Sequence, residues 1–127
     1  MDTKQKTILV ADDDKAIVDS ISAILNMSGY EVLNVNDGTS VLQAIKAQPD
    51  LVLLDIQMPG HDGVAVCKQL KRQASTKDIP IIFLSASMDV ARKAQESGAD
   101  DYLEKPFDID ALKDKIFHCL NRSRAAS

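Results

Sequence analysis

Five short apolar runs, at Thr7–Ala11, Glu31–Val35, 51–54, 81–84 and 101–103, alternate along the chain with five stretches whose apolar residues recur at helical spacing. Strand alternating with helix predicts a doubly wound α/β fold, because parallel strands must be joined by right-handed crossovers that return the chain to the same end of the sheet. The run Leu51-Val52-Leu53-Leu54 has no polar alternation, as in a strand covered on both faces. Ile17, Ile21, Ile24 and Leu25 mark the first helix, with Asp14 as its N-cap and Gly29 as a left-handed stop. Gly38, Val41, Leu42 and Ile45 mark the second, which ends before Pro49. Val64, Cys67 and Leu70 mark the third, opened by the turn Pro59-Gly60-His61-Asp62-Gly63. A short fourth helix is predicted over 88–96 and closed by Gly98; the fifth carries Ile109, Leu112, Ile116 and Leu120 behind Asp108 as N-cap. No repeat or linker interrupts the pattern. The 127 residues, 45% hydrophobic, are expected to form one domain with a core over about 7–120 and a frayed tail or linker stub at 121–127.

The apolar runs are far shorter than the ~20 residues of a membrane span. The start, Met1-Asp2-Thr3-Lys4-Gln5-Lys6, lacks the apolar core of a signal peptide, so a cytoplasmic protein with no membrane contact is expected. A formal charge of −4 and the lack of an aromatic-basic stripe argue against direct nucleic-acid binding. Cys67 and Cys119 lie in helical patterns with no CxxC or histidine cluster nearby, and read as buried thiols. The polar residues are more informative. Asp12-Asp13-Asp14 follows the first run, Asp55 the third, Ser85 the fourth, and Lys105 stands just beyond the fifth. Open parallel sheets bind ligands at the carboxyl ends of their strands. Carboxylates converging there repel one another unless a cation lies among them, and an all-oxygen set suits a hard ion such as Mg²⁺.

With those residues in place, the chain resembles a receiver domain of bacterial two-component response regulators, the family of the chemotaxis protein CheY. The matching pieces are Ile8-Leu9-Val10-Ala11-Asp12-Asp13-Asp14, the stretch from Asp50 through Asp55 to Gly63, Ser85-Ala86, and Gly98-Ala99-Asp100-Asp101-Tyr102-Leu103-Glu104-Lys105-Pro106-Phe107. The resemblance implies a (βα)5 flavodoxin-like three-layer sandwich with a parallel five-stranded sheet in the order 2-1-3-4-5. It further implies that Asp55 is the phosphoacceptor, taking a phosphoryl group from phosphohistidine on a sensor histidine kinase or histidine phosphotransfer protein. Asp13 and Asp55 would ligate Mg²⁺, Asp12 would act through water, and the backbone carbonyl of Gln57 would complete the set. Lys105, the Ser85 hydroxyl and the Ala86 backbone N–H would contact phosphoryl oxygens, making Asp55, Ser85 and Lys105 the catalytic group. Ser85 and Tyr102 would form the switch that alters a partner-binding surface, and Lys105-Pro106 would be cis. Such a domain catalyses only its own phosphorylation and dephosphorylation, so it is not an enzyme acting on a separate substrate. It would signal to a downstream protein, with no direct nucleic acid, as a monomer or a weak phosphorylation-dependent dimer.

Three other readings compete. A haloacid-dehalogenase-like phosphatase needs an acid/base Asp two residues after its nucleophile, and Gln57 stands there instead. A flavodoxin-like cofactor binder needs a phosphate loop rich in small residues where this chain has three Asp. A receiver-like interaction module that signals without phosphorylation would have no use for the full set of site residues.

Overall fold

Burial along the strands decides the layering. In β1 (Thr7–Ala11), β3 (Leu51–Asp55) and β6 (Ile81–Ser85) every residue except Thr7 is buried. Successive side chains of a strand point to opposite faces, so these strands need cover on both sides. Leu9, Val52, Leu54, Ile81 and Phe83 pack on one face against Val41 of α2 (Gly38–Ala44), Val66, Cys67 and Leu70 of α3 (Gly63–Arg72), and Val90 and Ala94 of α4 (Val90–Ser97). Ile8, Val10, Leu53, Ile82 and Leu84 pack on the other against Val18, Ile21 and Leu25 of α1 (Lys15–Met27) and Leu112 and Ile116 of α5 (Ile109–Ala125). β2 (Glu31–Val35) and β7 (Asp101–Glu104) are the sheet edges. All neighbours run parallel in the order β2-β1-β3-β6-β7, which is 2-1-3-4-5 when the five sheet strands are counted alone. The computed structural model describes residues 5–58, 61–86 and 88–125, with backbone alone at Met58, His61 and 122–125. No described helix is long and apolar enough to cross a membrane.

Caps follow the sequence closely. Asp14 accepts from the N–H groups of Ala16 and Ile17 at 3.0 and 3.3 Å, satisfying donors that the first turn leaves open. Gly29 and Gly98 adopt φ of 95° and 85°, the left-handed conformation that ends α1 and α4 at least cost. The Asp108 carbonyl accepts from Leu112 N–H at 3.1 Å, as an N-cap residue's does.

Four details differ from expectation. The fourth helix begins at Val90 rather than Met88, because its buried stripe is Val90, Ala94 and Ser97, whereas Met88 is 91% exposed. The second helix tightens into a 3₁₀ turn at Ile45–Ala47, and Gln48 turns the chain at φ 56° before Pro49. A two-stranded hairpin of β4 (Gln57–Met58) and β5 (His61–Asp62) occupies part of the expected turn; Pro59 and Gly60 lie outside the described residues. Finally, α5 continues to Ala125, past Leu120 where the apolar pattern ends.

Candidate functional site

Parallel strands bring their carboxyl ends to one rim, where the last residues of β3 and β6 meet those that follow β1 and β7. The three consecutive aspartates after β1 have three different surroundings. Asp12 continues the ladder through its N–H to Val35 O (3.2 Å) and is buried; its Oδ1 accepts from Asp14 N–H at 2.9 Å and its Oδ2 from Lys105 Nζ at 2.8 Å. Asp13 is exposed, and Asp14 caps α1. Asp55 ends β3, also buried, with Oδ1 accepting from Gln57 N–H at 2.9 Å and Oδ2 lying 3.3 Å from Lys105 Nζ. Carboxylate oxygens of Asp12, Asp13 and Asp55 lie within 4.8 Å of one another.

The cluster therefore has three carboxylates and one ammonium, which reaches two of them. Burial pushes the Asp55 carboxyl above its ordinary range and the neighbouring Asp12 charge adds to this, while the Gln57 N–H and the Lys105 charge pull the other way; the net shift is upward. Burial alone would weaken the Lys105 ammonium, but its hydrogen bond to Asp12 and the charges of Asp55 and Asp12 outweigh that and raise its pKa. The cluster thus holds more negative charge than Lys105 balances, with oxygen donors only, which fits a hard divalent cation. An open cleft beside Asp12 and Asp13 is bounded by Lys15, Val35, Asn36 and Ser40.

The Lys105 N–H donates to Ser85 O at 2.7 Å, and the Lys105-Pro106 bond is cis. Ser85 is fully buried at the end of β6, and Ala86 is exposed just beyond it. Tyr102 lies apart from the rim, on the outer face of β7, with Lys115 Nζ 5.6 Å from its ring centroid and the same ammonium 2.9 Å from Asp101 Oδ1. Gln57 is exposed in the hairpin, and the side chain of His61 lies outside what the structure describes.

Gly63, the last residue of the predicted turn, shapes the site. A Cβ there would stand 2.4 Å from Ile56 Cα and 3.0 Å from Asp55 O, so only glycine lets the start of α3 pass directly behind the Asp55 backbone. Its place as the first helical residue after Asp62, the α3 N-cap, was the available signal.

The sequence profile described as the response regulator receiver domain matches residues 8–117. The chain belongs to this family. The receiver domain is 43% identical over 119 residues to the DNA-binding dual master transcriptional regulator RpaA of Synechocystis, covering 91% of this chain and 49% of that protein. It is 37% identical over 126 residues to the DNA-binding response regulator MtrA of Mycobacterium tuberculosis, covering 97% of this chain and 54% of that one. A solved CheY-like receiver domain protein from Methanospirillum hungatei superposes with a TM-score of 0.89 at 29% identity, covering 98% of this chain and all of that one. The chain spans about half the length of the curated relatives it matches. The expectation of no direct nucleic acid does not survive this comparison, since RpaA and MtrA are DNA-binding regulators. The net charge that motivated it belongs to 127 residues only and carries no information about the rest of proteins twice as long.

Proposed function

We propose that this receiver domain accepts a phosphoryl group on Asp55 from a phosphohistidine donor. The observation that carries the reading is the rim cluster itself: the buried Asp55 carboxylate beside two further carboxylates, with one lysine reaching both Asp55 and Asp12. An Asp55 carboxylate oxygen attacks phosphorus, the P–N bond breaks, and its electron pair leaves with the donor imidazole, giving an acyl phosphate. Asp13 and Asp55 would hold Mg²⁺, with Asp12 acting through water and the Gln57 carbonyl completing the protein share. Bound there, the ion neutralises charge between carboxylates and the incoming phosphoryl oxygens. Lys105 would supply a second positive charge, and the Ser85 hydroxyl and Ala86 N–H would donate to the remaining oxygens.

Phosphorylation would draw Ser85 toward the new phosphoryl group and bias the position of Tyr102, whose outward placement supports reading this state as the unphosphorylated one. The names of RpaA and MtrA make DNA the output to test in the protein that carries this domain. Two cysteines outside any disulfide agree with a cytoplasmic setting.

Incubation with acetyl phosphate and Mg²⁺ is the direct test. Intact-mass analysis should show one added phosphoryl group, absent with a chelator and absent in Asp55→Asn. Undiminished labelling of Asp55→Asn would overturn the assignment.

A further inference from the structure

β7 is a strand of four residues at the edge of the sheet, and among the described strands it pairs only with β6. Lys105 follows it directly, so the height of Lys105 above the rim depends on the β6–β7 register. A slip of one residue would move it by about 3.3 Å and turn its side chain to the other face of the sheet. The carboxyl end of this pair is closed by Lys105 N–H to Ser85 O at 2.7 Å. The amino end is closed by Asp100, twice: its N–H donates to Ile81 O at 2.8 Å, and its Oδ2 accepts from Ile81 N–H at 2.8 Å. The same oxygen accepts from Lys71 Nζ at 2.8 Å, and Lys71 also donates to Ile79 O at 3.0 Å and Lys77 O at 3.3 Å. Lys71 thus ties the end of α3, the loop entering β6 and the loop entering β7 to a single carboxylate. Both side chains are largely enclosed, with 17% and 28% exposure.

We propose that Asp100, held by Lys71, is a positioning residue for Lys105: it fixes the register of β7 on β6 from the far end of the strand pair. The functional consequence rests on the reading of Lys105 as a phosphoryl-binding residue. β3, which carries Asp55, pairs with the other side of β6 and with β1, so its register has independent support. Two amides at the same rim therefore separate a register effect from general loosening: Lys105 N–H, bonded to Ser85 O, and Ile56 N–H, bonded to Leu84 O.

The test is amide hydrogen exchange of the full chain, read residue by residue. In Asp100→Asn and in Lys71→Met, exchange of the Lys105 amide should rise about tenfold, the scale of losing one charged hydrogen bond, while the Ile56 amide stays within about twofold. In the unsubstituted protein at low denaturant, the Asp100 and Lys105 amides should open as one unit, separate from Ile56. This measurement needs no variant to fold. Equal increases at Lys105 and Ile56, no increase at either, or joint opening of Ile56 with Lys105 in the unsubstituted protein would each overturn the proposal. Labelling of Asp55 by acetyl phosphate should slow in both variants in step with Lys105 exchange. If the unsubstituted protein takes no phosphoryl group, the functional reading fails, while the exchange result still decides whether Asp100 positions Lys105.

Discussion

At the amino end of β6, Lys71 directs three hydrogen bonds to Asp100 Oδ2, Ile79 O and Lys77 O, and the Asp100 carboxylate accepts a further bond from Ile81 N–H. At the carboxyl end, the Lys105 ammonium is divided between Asp12 and Asp55, and Asp13 has no ion-pair partner among the described residues. Both places contain a lysine and aspartate in a partly buried setting, yet one is balanced and the other carries a surplus of carboxylates. A balanced pair with its donors satisfied holds chain segments together. A surplus that the fold itself leaves uncompensated marks a place for something that comes from outside.

The comparison can be broken by substitution. The largest effect on stability should come from Gly63→Ala, whose methyl group must displace the backbone behind Asp55. Overpacking of this kind should cost about 3 kcal/mol in urea unfolding. A cost near zero would mean that the approach of α3 to Ile56 is not a constraint on the Asp55 rim.

One chemical change then separates the two ends of β6. Asp100→Asn removes the partner of Lys71 and should destabilise the fold by about 2 kcal/mol. Asp55→Asn relieves repulsion at a carboxylate whose protonation burial and Asp12 already favour, and should stabilise the metal-free fold by about 1 kcal/mol. Equal signs in a thermal or denaturant melt would show that the rims are electrostatically alike.

The smallest effect at neutral pH concerns Cys67, near the balanced end, where burial pushes the thiol up to about 11 from an ordinary 9.0. A raised folded-state pKa means that the stability of the protonated form is complete below about pH 9 and is lost as pH rises toward 11. Cys67→Ala should flatten that part of the stability–pH curve. An unchanged slope would assign the alkaline loss to other groups, such as Tyr30, whose phenol burial also raises.

The five strands of the sheet, the approximate course of the five helices and the rim where Asp12, Asp55, Ser85 and Lys105 meet were legible in the sequence. Buried parallel strands write themselves as apolar runs, and all parallel strands end on the same side, so a polar residue after each run falls at a common edge even when, as with Lys105 and Asp12, 93 positions separate them. Tertiary structure alone decided the rest. Lys71 sits in the last turn of α3 and Asp100 in a loop 29 residues on, positions where charged residues are ordinarily solvated, and no local pattern links them. Their pairing exists only because the crossover from α3 into β6 and the return from α4 into β7 arrive side by side. The constraint on Gly63 is of the same kind. Local periodicity encodes which face of an element is buried, whereas the distance of a helix start from the backbone of another strand is set by how the layers pack.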